Sequence, residues 1–200
     1  EQVAAHLRLT APAEMPPGGV TLLIECADHS DPAPALIDVI DSIEGVAATA
    51  VAIDAAQRRQ LLAWRDRITE AIAAAATTSG GPTYKLDVAV PTRAIGQLLE
   101  VARAAAERQG ARIVPFGHLA EGNLHLNFLG ASRPDEIAEA VLTSTADLGG
   151  TISAEHGIGV AKTRWLHLVR SVGDLAAQHA LKRALDPNLI LNPGVLQPPS

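Results

Sequence analysis

"ARIVPFGHLAEGNLHLNFLG", Ala111 to Gly130, reads as two strands, "ARIVPFGHL" and "NLHLNFLG", joined by a tight turn. With a two-residue loop at Glu121 and Gly122, Ala120 faces Asn123, Leu119 faces Leu124 and His118 faces His125, the facing Cα atoms roughly 4.5–5.5 Å apart. Period-two alternation adds Phe116 and Asn127 to the histidine face and puts Leu119, Leu124, Leu126 and Phe128 on the other. A core strand needs no histidines, so one face is read as core and the other as a site. Two cross-strand neutral imidazoles are half of a tetrahedral metal site, for which Zn²⁺ is the commonest occupant. Two solvated histidines in a polar hairpin are the plain alternative.

Upstream, "TYKLDVAVP" alternates Lys85 and Asp87 on one side with Leu86 and Val88 on the other, the pattern of a half-buried strand. "TRAIGQLLEVARAAAERQG" follows as an amphipathic helix, with Thr92 as N-cap and Gly110 at its C-terminal end. Further back, "AAQRRQLLAWRDRITEAIAAAA" is one long helical stretch stopped by Gly80, Gly81 and Pro82. The opening places a Pro16 to Gly19 turn, a strand at about Val20 to Cys26, a helix in "PALIDVIDSI" and a strand pattern in "GVAATAVAID". Two β-α-β halves predict an α+β fold: a ferredoxin-like antiparallel sheet with helices packed on one face, plus C-terminal helices.

With 48% hydrophobic and 19% charged residues over 200 positions, the chain can bury a real core as one domain or two small ones. Aromatic residues are only 2% and the 16 Lys and Arg are scattered in a chain of net charge -6, which argues against nucleic acid as partner. The lone Cys26, within "TLLIECAD", reads as a small buried hydrophobe and fits a reducing compartment. No apolar window of membrane-spanning length and no leader is present, so the expected location is cytoplasmic. Since it opens on "EQVAAHLRL" with no initiator Met, the chain is expected to be a piece of something longer.

Downstream, "TISAEHGIGVAK", Thr151 to Lys162, supplies a third ligand. Glu155 and His156 follow a short β-like piece, and Gly157 and Gly159 permit tight geometry before a helix near Val160. Two solvated side chains in a glycine turn are the alternative. A His118, His125 and Glu155 set leaves one zinc position open, as catalytic sites do, and His156 beside it would serve as general base. Open zinc next to a base suggests a Lewis acid acting on a substrate oxygen.

"GHLAEGNLHLN", "ISAEHGIGVAK" and "ALDPNLILNPG", in this order, together with "YKLDVAVP", resemble the C-terminal domain of FAD-linked 2-hydroxyacid dehydrogenases and oxidases: D-lactate dehydrogenase, D-2-hydroxyglutarate dehydrogenase and the glycolate oxidase flavin subunit. The resemblance covers about Ala63 to Leu196. It implies that residues 1–200 are the substrate domain of a two-domain flavoenzyme whose N-terminal FAD-binding domain is absent from this chain, leaving it inactive alone. It also implies oxidation of a lactate-, glycolate- or 2-hydroxyglutarate-type D-2-hydroxy acid to the 2-oxo acid.

By the same resemblance His118, His125 and Glu155 match metal ligands, with zinc or another divalent ion expected, and His156 matches the base. Arg65, Thr69, Lys85 and Asn127 match substrate-binding residues, and Asn192 a residue near the flavin. An electron acceptor, through which the protein would lie peripheral to a membrane, and a homodimer are further expectations. Ala120-Glu121 stands where the family more often has Gly-Asp, "AAAATTSGGPT" looks longer than usual, and Arg67 competes with Arg65. A metal- or small-acid-binding module without catalysis stays open, as does a zinc hydrolase, although no helical His-Glu-x-x-His is present.

Overall fold

The computed structural model describes residues 19–196. The chain forms two compact units that divide after Thr78. The second holds the sheet: β1 (Thr83–Ala89), α4 (Ile95–Glu107), β2 (Arg112–His118), β3 (Asn123–Leu129) and α5 (Pro134–Asp147), followed by α6 (Val172–Leu185). All neighbours are antiparallel and the strand order is β1-β3-β2. The fold is α+β, as expected.

Pleat parity divides the sheet into two unlike faces. Leu86, Val88, Leu124, Leu126 and Phe128 point to one side and join Ile95, Leu98 and Ala102 of α4 and Ile137, Ala138, Val141 and Leu142 of α5 in one buried cluster. Helix α4 buries a stripe at three- and four-residue spacing, and its Ala102, Ala105 and Ala106 contribute methyl groups to that face. Pro134, Asp135 and Glu136 open α5, where a fixed φ and negative charge both suit a helix N-terminus. Lys85, Asp87, Phe116, His118, Asn123, His125 and Asn127 share the opposite face.

The hairpin differs from expectation in its loop. Strand β2 pairs with β3 so that His118 faces Asn123 and Phe116 faces His125. Four residues, not two, make the connection: a 3-10 turn over Leu119–Glu121 and Gly122 in the left-handed region at φ 67. The Gly122 N–H closes the turn on the Leu119 carbonyl at 3.1 Å, and the Gly122 carbonyl accepts from Val90 N–H at 3.1 Å. Glycine is required twice over, because a Cβ there would lie 1.8 Å from the Val90 oxygen. The register has moved by two residues, an even number, so both histidines keep their face.

The first unit departs further. Helix α1 (Ala33–Asp41) forms where expected, but residues 20–26 and 46–53 form no strand, so the first β-α-β unit is absent. Outside a sheet these side chains stay exposed: Val20 is 91% exposed, and Cys26 is exposed rather than buried. The long helical stretch is two helices, α2 (Ala55–Asp66) and α3 (Ile68–Thr78). They break at Arg67, whose φ of -99 and ψ of 8 leave the helical region while its guanidinium grips Glu70 at 2.8 and 2.9 Å. Asp54 caps α2 through two backbone N–H groups.

Two smaller expectations also fail. Thr92 makes no cap: a 3-10 turn over Thr92–Ala94 precedes α4, which starts from Ala94 without a side-chain hydrogen bond. No α-helix begins near Val160; turns lead into a 3-10 helix over Thr163–Leu168. Pro16 to Gly18 of the expected opening turn lie outside the described residues. Among the described residues no helix is long and apolar enough to cross a membrane.

The C-terminal segment is tied to α6 by one carboxylate. Asp186 is buried, pairs with Lys182 and accepts from the Ile190 and Leu191 N–H groups at 3.0 Å each. The Lys182 ammonium, helped by those two N–H groups and opposed by burial, holds its carboxyl below the ordinary carboxylate range. A depressed native pKa contributes stability above the unfolded value that is lost as pH falls through the native one. Hydrogen exchange should therefore find the Ile190 and Leu191 amides protected at neutral pH and released only below about pH 4. Asp186→Asn should release them already at pH 7.

A second prediction concerns the hairpin. Gly122→Ala should lower stability in urea melts by roughly 2–4 kcal/mol, combining a left-handed alanine with a backbone collision. Gly110→Ala, also at positive φ (62) but with open space around the added methyl, should cost only about 1–2 kcal/mol.

Candidate metal centre

Two strands and one loop build the site. His118 ends β2, and His125 stands in the middle of β3 beside β1. The loop is brought alongside by Thr151, which pairs with the last residue of β1: the Thr151 N–H donates to the Ala89 carbonyl at 2.8 Å and the Ala89 N–H to the Thr151 carbonyl at 3.0 Å. Gly150 permits this approach, since a Cβ there would come within 2.3 Å of the Ala89 oxygen. Four residues on, Glu155 and His156 reach the polar face of the sheet. Gly157 and Gly159 both adopt positive φ, as their motif implied.

His118, His125 and Glu155 converge. Each offers a ligand atom, and the three atoms lie within 4.8 Å of one another. His118 Nε2 is 3.5 Å from Glu155 Oε1. Donors around a tetrahedral ion with bonds of ~2.0–2.1 Å sit about 3.4 Å apart, which the His118–Glu155 separation already matches; the whole set would draw in from within 4.8 Å to grip one. The chemistry fits too: two imidazoles and one carboxylate suit zinc and leave a position open. The His118 and His125 rings meet edge to face, 5.8 Å between centroids.

Asp87 lies beneath this set, and the sequence reading passed over it. It directly faces His125 across the β1–β3 pair and is 8% exposed. Oδ2 accepts from the backbone N–H of Glu155 at 2.9 Å and of His156 at 3.3 Å. Oδ1 lies 3.1 Å from His125 Nδ1. Burial pushes its carboxyl up, but the two N–H groups, with the Lys162 ammonium and the adjacent His125 ring, outweigh burial and hold it below the ordinary range. Lys162 donates to the Asp87 carbonyl at 2.6 Å and to the Ile152 carbonyl, joining strand to loop. Burial pulls its ammonium down, with the Asp87 charge opposing.

Asn123, also passed over, donates its side-chain N–H to Glu155 Oε1 and so orients that carboxylate. The only signal either residue carried was its place in the alternation. Asn127 shares the site's face but is buried, its amide nitrogen donating to the Val114 carbonyl at 3.1 Å and the His125 carbonyl at 3.3 Å.

His156 stacks on His125 at 5.8 Å and an interplanar angle of 20°. Its Nδ1 lies 3.9 Å from Asp87 and its Nε2 3.8 Å from Glu155, with 70% of the side chain exposed. Lys85 is exposed on the same face, opposite Asn127. Arg65 and Thr69 are exposed in the first unit, the former beside Asp66 at 3.1 Å. They sit on successive helices rather than one. Asn192 is exposed in the C-terminal segment at a φ of 45, its carbonyl accepting from Val195 N–H.

Residues 4–196 match the family described as FAD linked oxidases, C-terminal domain. The chain is 32% identical to D-2-hydroxyglutarate dehydrogenase of Xanthomonas citri pv. viticola over 212 residues, 98% of this chain and 43% of that protein. It is 31% identical to the mitochondrial D-2-hydroxyglutarate dehydrogenase of Rattus norvegicus over 96% of this chain and 36% of that protein. To the mitochondrial enzyme of the same name from Danio rerio it is 34% identical over 72% of this chain and 27% of that protein. The chain thus spans less than half the length of these relatives. By a match over nearly its whole length, this chain belongs to the FAD linked oxidases as their C-terminal domain.

Proposed function

We propose that the chain is the substrate- and metal-binding part of a flavin-dependent dehydrogenase that oxidises a D-2-hydroxy acid to the 2-oxo acid. The relatives' shared name favours a 2-hydroxyglutarate-type substrate over the lactate and glycolate types. One observation carries the reading: two imidazoles and a carboxylate converge within metal-ligand reach, next to an exposed third imidazole. For the fold we infer a ferredoxin-like plan, supported by a β-α-β-β-α run in strand order β1-β3-β2 with Thr151 bridging the outer side of β1, where a fourth strand would lie.

His118, His125 and Glu155 would hold the divalent ion. Bound there, such an ion supplies Lewis acidity at the substrate hydroxyl, while an FAD held by a further domain of the polypeptide supplies the hydride acceptor. His156, exposed and unencumbered by the core, takes the hydroxyl proton on a ring nitrogen. Lys85, on the same face, attracts a substrate carboxylate. Arg65, in the first unit, is by the family resemblance a residue that would clamp a carboxylate in two-point fashion, with Thr69 a further substrate-binding residue. Asn127 contributes from the same face through its side-chain oxygen, and Asn192 is, by the family resemblance, the residue that would be near the flavin.

The test uses the full polypeptide with its flavin. His125→Ala should lose bound metal by elemental analysis together with D-2-hydroxyglutarate turnover. His156→Ala should keep its metal and lose kcat by about 10²–10⁴-fold, the usual worth of a general base. Full activity in His125→Ala with no metal in either protein would refute the reading. Metal bound by the wild type with no turnover of any 2-hydroxy acid would favour a binding module without catalysis.

A further inference from the structure

We propose that Asp87 is a positioning residue of this site: its carboxylate fixes the His125 ring with the proton on Nδ1, leaving Nε2 to donate, and anchors the Glu155–His156 backbone to the same strand. The inference rests on the reading of His118, His125 and Glu155 as metal ligands.

The two carboxylate oxygens have separate tasks. Oδ2 takes two backbone N–H groups, from Glu155 and His156, which fixes the plane of the carboxylate against the loop. Oδ1 is then left 3.1 Å from His125 Nδ1, buried and without a hydrogen bond in this structure. A buried oxygen without a donor is costly, and an ionised carboxylate can only accept. His125 Nδ1 is near enough to satisfy that oxygen when it carries the ring hydrogen. A neutral imidazole has one N–H, so Nε2 keeps its lone pair, the state a metal ligand needs. One side chain thus sets the orientation of a ligand on β3 and the path of the loop that carries another.

A residue that only staples the loop makes a different forecast from one that also sets the tautomer, and Asp87→Asn separates them. The amide can satisfy two backbone N–H donors only with its oxygen, which turns its NH₂ toward His125 Nδ1. The ring must then accept there, and its hydrogen moves to Nε2, the atom the ion requires. A nearly isosteric change keeps the staple and inverts the ring.

The experiment records long-range ¹H–¹⁵N correlations of histidine in the metal-free chain at about pH 8, where unperturbed imidazoles are neutral, and titrates the same samples with Zn²⁺. The wild type should show His125 as the Nδ1–H form and bind one ion. Asp87→Asn should show the Nε2–H form and bind zinc about 10–100-fold more weakly, the usual cost of removing such a partner, with its circular dichroism unchanged. An Nε2–H form in the wild type, which needs no variant to fold, would overturn the inference, as would unaltered zinc affinity in Asp87→Asn. A wild type that has the Nδ1–H form, inverted by Asp87→Asn, yet takes up no ion would support the positioning and sink the metal reading instead.

Discussion

The two-sidedness of a pleated strand governs everything else in the second unit. Once Leu86, Val88, Leu124, Leu126 and Phe128 pack on α4 and α5, every intervening residue of β1 and β3 must face away from the helices. Those residues include Lys85, Asp87, Asn123, His125 and Asn127. The candidate site is therefore the obligatory reverse of the core. Disturbing the core register by one residue would bury the polar set and expose the apolar one, so the packing that stabilises the fold also protects the site's composition.

A polar face alone does not make a centre, because β2 and β3 supply only the two histidines. The loop from Thr151 adds the carboxylate and the third imidazole, and its attachment is polar rather than hydrophobic. Two backbone hydrogen bonds to Ala89, two N–H groups on Asp87 and the Lys162 ammonium on two carbonyls hold it against β1. A buried carboxylate beside a half-buried ammonium is costly to desolvate, and burying either alone would be worse. Here both are surrounded by directed hydrogen bonds, and their positions are fixed in return. Stability is a weak reason for such a pair in this place; geometry at the adjacent candidate ligands is a stronger one.

What the sequence disclosed follows the same division. Strands β1, β2 and β3 and helix α4 were legible because an apolar stripe of the right period marks each, and His118, His125, Glu155 and His156 because their motifs are unusual in an alanine-rich chain. The loop length was misjudged, since Glu121-Gly122 looks like a two-residue turn and nothing local announces the 3-10 turn before it. That error did no harm to the site, as a shift of two residues preserves the face. The two strands expected in the first unit were apolar runs that join no sheet among the described residues, and an apolar β pattern alone does not make a sheet. Asp87 and Asn123 escaped notice because their role depends on a residue 68 positions away in one case and 32 in the other.

The three imidazoles show how one residue type is differentiated by surroundings alone. His125 is walled in by Asp87, Phe116 and the neighbouring rings, with 14% of its side chain exposed, and such an environment suits a fixed electron-pair donor. His118, at the strand end, is 39% exposed and opposite Glu155, where it can complete a set without being locked by it. His156 keeps 70% of its side chain in solvent and stands near 4 Å from two carboxylates without a short contact to either. A base that must accept a proton and release it again gains from that freedom, whereas a ligand loses by it. The gradient of exposure across the three rings is thus in the order that ligand and base would require, and it arises from where β2, β3 and the Thr151 loop end rather than from any difference in the side chains themselves.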